Sequence, residues 1–300
     1  MVDPVHVAFS HHGILGSRYA PPIQEFPAGE AEAVPETSGF KVRSVMRARK
    51  RLDGAATPAP PPPSLATPRT TIEWDPSGGK VHYSFGALGG SNMLTYSVPT
   101  APGRARIFFS VLRPAEGTPP LMAAALRFVG LPIFRWKQHA GNNAVLSGDN
   151  VLCGAQTALL DALAVEGKTY KDAYYTPTGA DGAVLRLRNW FADAPPIPWA
   201  ATAPPPPSPP GRRELLERLE SHTKICSHCS KALKVFTAVR AASLAGLGGA
   251  AVWAIAARAA GRAVTPGVAV VAVLGAALAA AAHKEVQELT FVDYVHQDKK

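Results

Sequence analysis

Cysteine is scarce in this sequence: Cys153, Cys226 and Cys229 are the three present in 300 residues. That is too few for a disulfide framework in a chain of this length, and it fits a reducing compartment. Acidic residues are also in deficit, 22 against 31 Lys and Arg, which leaves a formal charge of +9 and a pI near 9.6. Such a balance suits an anionic partner: nucleic acid, an anionic membrane surface or a carboxylated substrate. No RNA- or DNA-binding module signature occurs, so no nucleic-acid partner is expected. The amino terminus has neither a charged-then-apolar signal peptide nor an Arg/Ser-rich transit segment. Missing too is the zinc-protease pattern of two histidines four apart with an intervening glutamate. Size is not limiting, because 300 residues that are 47% hydrophobic can bury a real core.

What is present begins at once. Asp3, His6 and His11 lie in the first dozen residues, in a stretch that reads as a short helix running into a loop punctuated by Gly13 and Gly16. Asp3 and His6 share a helix face. Five steps of about 100° put His6 and His11 about 140° apart, so both imidazoles reach one ion only if the helix bulges or ends between them. Chain ends fray, and metal ligands need rigid support, so further sequence upstream of Met1 is expected.

A basic cluster from Lys41 to Arg51 feeds a proline tract and reads as a solvated face followed by linker. Thr70–Trp74, Lys80–Phe85, Met93–Val98 and Arg104–Leu112 are β-rich runs divided by Gly and Pro, which predicts consecutive antiparallel strands. A long helix is predicted from Asp149 to about Val165, with Leu152, Ala155, Leu159, Leu160 and Leu163 on its buried side and Cys153 in the core. After the turn at Pro177–Asp181 an amphipathic helix carries Arg186 and Arg188. Strands followed by a long helix laid on them make an α+β layer arrangement.

Residues 194–211 form a second proline-rich linker, and 212–236 a charged helical segment carrying Cys226-x-x-Cys229. The composition then changes. Ala241–Ala257 and Ala263–Ala282 hold no charge, and each is about long enough to cross the ~30 Å of hydrocarbon in a bilayer. A two-helix membrane anchor over 237–283 is the natural reading, with Ala242, Gly246 and Ala250 as the close-packing stripe. Basic residues flank both ends of the hairpin, so charge does not set its orientation. The tail is 284–300.

Asp3, His6 and His11 could hold a metal if a second carboxylate arrives from elsewhere, and Asp149 is the candidate. Its alternative role is an N-terminal helix position favoured by the helix dipole, with Gly148 and Asn150 as turn residues. Cys226 and Cys229 read first as redox-active thiols, since Lys224 and Lys231 favour thiolate. Otherwise they are plain exposed cysteines; a structural zinc, with His222 and His228 as the nearby supplements, is the weakest of the three readings.

Asp3-Pro-x-His-x-x-x-Ser-His-His-Gly13, followed by Arg18, resembles the mononuclear-iron motif of the pheophorbide a oxygenase family of Rieske-type oxygenases. The likeness continues in order through Trp136-x-x-His139-x-x-x-Asn143, Val145 to Asp149, Gln156, and Tyr175 to Asp181 with Arg188-x-Trp190. It runs on through His222-Thr223-x-x-Cys226-x-x-Cys229 to Phe291-x-Asp293-Tyr294-x-His296. The resemblance implies a catalytic domain over 1–193, with an insertion at about 41–69, in a helix-grip (Bet v1/START-like) fold. His6, His11 and Asp149 would be ligands of a mononuclear Fe(II), and Asp3 the carboxylate relaying electrons to it. A 2-His-1-carboxylate set leaves positions for O₂. The resemblance further implies a chlorophyll-type tetrapyrrole substrate, ferredoxin as electron donor, a homo-oligomer (trimer), and a chloroplast membrane location with the domain in the stroma. A Rieske [2Fe-2S] site takes two Cys and two His. No Cys-x-His with a later Cys-x-x-His occurs, so that cluster is expected in an upstream domain. The late CxxC and the hairpin also resemble a branch that includes a translocon-associated protein, which leaves a membrane-anchored thiol-redox regulator with an inactive iron site as the alternative.

Overall fold

The structure is a computed structural model that describes residues 23–25, 32–34, 38–43, 45–47, 70–85, 91–101, 103–112, 118–176, 179–194 and 210–295. Asp3, His6, His11, the predicted first helix and both proline tracts lie outside these residues. The fold class is α+β. Among the described residues eight strands come first: β1 (Ile23–Glu25), β2 (Glu32–Val34), β3 (Gly39–Arg43), β4 (Val45–Arg47), β5 (Thr70–Asp75), β6 (Lys80–Phe85), β7 (Ser91–Ala101) and β8 (Arg104–Leu112). Seven α-helices follow among them: α1 (Pro120–Val129), α2 (Arg135–Val165), α3 (Tyr170–Ala173), α4 (Gly182–Asp193), α5 (Arg212–Leu215), α6 (Ser227–Ala259) and α7 (Pro266–Thr290).

The chain divides into two compact units. One holds residues up to Ala123, Cys153–Pro210 and His296–Lys300; the other holds Ala124–Leu152 and Gly211–Val295.

In the first unit six strands form an open antiparallel sheet in the order β2-β3-β5-β6-β7-β8, while β1 pairs with β4. Alternation explains its core. Phe40 and Val42 of β3, Ile72 and Trp74 of β5, and Val81 and Tyr83 of β6 sit at every second position and are buried together. The helix that covers them is α4, through Ala183, Val184, Leu187 and Trp190. The Trp190 indole donates to the Ser38 carbonyl (2.8 Å). Between β5 and β6 the turn needs glycine: Gly79 has φ +57°, and a Cβ there would stand 2.5 Å from the Ser97 carbonyl oxygen. Asp75 caps the same turn by accepting from the Ser77 amide (3.0 Å) and hydroxyl (2.6 Å), and it pairs with Lys80 (2.9 Å).

The long helix departs from expectation at its start. Pro132 opens a 3₁₀ turn, Pro132–Phe134, that runs directly into α2 at Arg135. Proline is favoured at such a first position because its missing N–H is one the helix leaves unpaired anyway. Asp149 therefore lies in the middle of α2, and the helix-head reading with its dipole stabilisation does not hold. Gly148 lies within α2, and its bare Cα makes room for a ring: a Cβ there would be 2.9 Å from Tyr294 Cε2. The buried residues of α2 are Ala140, Ser147 and Gly148. Cys153, expected in the core, is exposed, as are Leu152 and Leu159. Periodicity defines an apolar stripe, but burial along α2 is confined to its first half.

In the second unit α6 and α7 form the predicted hairpin, both long and apolar enough to cross a membrane. Their approach is not through the expected small-residue stripe. Gly246 has open space where a Cβ would be, whereas a Cβ on Gly275 would stand 3.3 Å from Leu247 Cγ and 3.6 Å from the Ser243 carbonyl. At the polar end of the hairpin, residues 216–223 are pinned to the end of α7. Glu217 bridges to Phe291, the Arg218 amide donates to the Thr290 carbonyl (2.9 Å), and the Thr223 hydroxyl donates to the Leu289 carbonyl (2.6 Å).

Candidate metal centre

The charged segment before α6 is not one regular helix. After α5 the backbone forms a π-helical turn, Leu219–Thr223. Glu217 supports it, its carboxylate accepting from the amides of Leu219, Glu220 and Ser221. The turn carries His222, and Cys226 caps α6 with Cys229 in its first turn. The Cys226 amide donates to the His222 carbonyl (2.9 Å), which closes the link between turn and helix.

The fourth member comes from α2, in the same unit. Trp136 stacks edge-on against Phe236 of α6, ring centroids 4.8 Å apart. With Lys137 paired to Glu285 (2.9 Å), this docks the first turns of α2 on the hairpin. His139 then points at the cysteines. Its Nδ1 lies 3.3 Å from Cys226 Sγ, 3.4 Å from Cys229 Sγ and 3.3 Å from His222 Nε2; Cys229 Sγ is 3.4 Å from His222 Nε2. All four donor atoms fall within 4.8 Å of one another.

Burial sets the electrostatics. Desolvation holds both imidazoles below their ordinary pKa, with His228 adding to the effect at His139 and His139 at His222. Neutral imidazole is the form that ligates a metal. The Cys229 thiol is wholly buried, and desolvation, with Cys226 beside it, pushes it up to about 12. Behind the centre lies an apolar cluster of Cys229, Ala232 and Leu289 with Trp136, Leu233 and Phe236.

Sequence proximity offers both His222 and His228 as supplementary ligands, and His222 is in the group. In the structure His228 is outside the group, its ring centroid 6.4 Å from that of His139. The partner actually present, His139, is 83 residues before His222. A signal for it existed in His222-x-x-x-Cys226-x-x-Cys229, three ligands in eight residues lacking a fourth, but nothing local says which distant side chain supplies it.

Of the predicted iron ligands, Asp149 is half-buried on α2, ten residues and so about 15 Å along the helix from His139. Its negative charge, together with burial as the larger cause, raises the pKa of Tyr294. His6, His11 and Asp3 are outside the described residues.

No protein-family model matches this chain, and no solved structure matches it. Among curated proteins it is similar to "Pheophorbide a oxygenase, chloroplastic" of Arabidopsis thaliana, 28% identical over 152 residues, or 44% of this chain and 26% of that protein. The protein of the same name from Oryza sativa subsp. japonica is 28% identical over 151 residues, again 44% of this chain and 26% of the relative. The chain is thus distantly related to these oxygenases, and the match covers about a quarter of their length.

Proposed function

We propose that this chain is the catalytic portion of a membrane-anchored oxygenase acting on a chlorophyll-derived tetrapyrrole. The observation that carries the reading is the similarity to two chloroplastic pheophorbide a oxygenases. The apolar hairpin supports it, since a flat macrocycle with little solubility in water partitions into a bilayer. A net charge of +9 would draw the macrocycle's carboxylate.

In this reading His6, His11 and Asp149 hold one ferrous ion, which when bound keeps coordination positions open for O₂. Asp149 offers the hard carboxylate such an ion takes. Asp3 holds the far nitrogen of a ligand imidazole and so fixes its tautomer. The sheet is the wall of a helix-grip domain. Electrons come from ferredoxin through a Rieske [2Fe-2S] cluster outside this chain, in a trimer whose catalytic units face the chloroplast stroma.

The test is anaerobic reconstitution of the detergent-solubilised chain with Fe(II). One iron per chain is expected, lost in His6→Ala and in Asp149→Ala. Iron content unchanged in both variants, or lost only with Cys226→Ser, would sink the assignment.

A further inference from the structure

We propose that His139, His222, Cys226 and Cys229 bind one structural Zn(II) ion, which staples α2 to the root of the membrane hairpin. The proposal stands apart from the oxygenase reading, since it concerns four other residues and no open coordination position.

Geometry comes first. An ion with metal–sulfur bonds of about 2.3 Å and metal–nitrogen bonds of about 2.0–2.1 Å spans tetrahedral edges of about 3.4 Å for N···N and about 3.6 Å for S···N. The N···N edge here is 3.3 Å, three of the four S···N edges are 3.3–3.4 Å, and the remaining edges lie within 4.8 Å. The four atoms therefore outline the shell of a single ion. A [2Fe-2S] cluster bound by two Cys and two His keeps the thiolates on one iron and the imidazoles on the other. That separation is incompatible with each sulfur lying against the His139 nitrogen.

The donors select the metal class. Two thiols and two imidazoles suit a borderline-soft ion without a strong geometric preference, and exclude Mg²⁺ and Ca²⁺, which take oxygen shells. Four protein ligands leave no position for water or substrate, the mark of a structural site. Binding to a free thiol releases its proton to solvent, so no oxidant or reductant is needed.

Topology says what the ion does. It ties a residue of α2 to a π-helical turn and to the first turn of α6, while the same turn is held to the end of α7 through Thr223 and Leu289. Cys229 lies twelve residues, about 18 Å, before the charge-free stretch of α6 that begins at Ala241. The intervening Lys231, Lys234 and Arg240 keep the ion on the polar side of the hairpin. Both membrane helices thus leave the bilayer at one metal-clamped point.

The experiment is metal analysis of the full chain, purified in detergent under reducing conditions. About one zinc per chain is expected. His139→Ala, Cys226→Ser and Cys229→Ser should each lower it at least about tenfold, while His228→Ala keeps it. Because a variant can fail to fold, the wild-type chain is also exchanged into Co(II). Intense visible bands of tetrahedral cobalt with thiolate charge transfer in the near ultraviolet are expected, as is a fall in unfolding temperature on chelation that zinc reverses. Any of three results overturns the proposal: a zinc-free chain with a Cys226–Cys229 disulfide, iron in place of zinc that is lost in Cys226→Ser, or zinc lost as fully in His228→Ala as in His139→Ala.

Discussion

Arg218 allows a sharp test of what holds the second unit together. Its side chain is 5% exposed and donates from Nη1 to the Glu288 carbonyl (3.0 Å) and carboxylate (3.3 Å), and from Nη2 to the Ser147 hydroxyl (3.0 Å). One guanidinium thereby joins the π-helical turn, the end of α7 and the middle of α2. Arg218→Met keeps most of the volume and removes the charge and the donors. Removing one partner of a buried ion pair costs about 3–5 kcal/mol. Glu288 is 28% exposed, so water recovers part of the loss and the effect belongs near the lower end, about 3 kcal/mol. At about 1.4 kcal/mol per factor of ten, amides of the turn should exchange hydrogen on the order of 10²-fold faster. The relevant amides are those of His222 and Thr223, which donate to the Arg218 carbonyl. Lys224→Ala is the control: its partner Glu220 lies one helical turn away, both side chains are more than half exposed, and such pairs are worth about 0.5 kcal/mol or less. Exchange in Arg218→Met within about threefold of wild type would refute the reasoning.

Two further outcomes follow from the same structure. The Ser77 hydroxyl and Lys80 hold the Asp75 carboxyl below its usual 3.8, and Asp75 in turn raises Lys80 above 10.5. Asp75 therefore stabilises the sheet unit above pH 3.8, a contribution lost as pH falls through the lower folded value. Lys80 contributes below 10.5 and ceases to do so as pH rises through its raised one. Asp75→Asn should flatten both limbs of unfolding temperature against pH, and an unchanged acid limb would count against the ion pair. In the hairpin, Gly275→Ile should push α6 from α7, read as a lengthened distance between spin labels on the two helices. Gly246→Ile should not, because nothing lies within 4 Å of a Cβ there. Equal effects at the two glycines would return the contact to the expected small-residue stripe.

The sequence by itself determined what depends on neighbours along the chain. Alternating β-branched and aromatic residues between glycine and proline turns placed β6 and β8 at their observed ends, and two charge-free apolar runs placed the hairpin. These elements follow from local periodicity and turn chemistry, which a short window contains. Only the tertiary structure decided what meets across long separations. It put α4 over the sheet core, set Asp149 in mid-helix, left Cys153 exposed, moved the hairpin contact to Gly275, and passed over His228 in favour of His139. The reason is physical: a metal shell is defined by where side chains converge. That convergence depends on the docking of Trp136 on Phe236, which no spacing around Cys226 and Cys229 encodes.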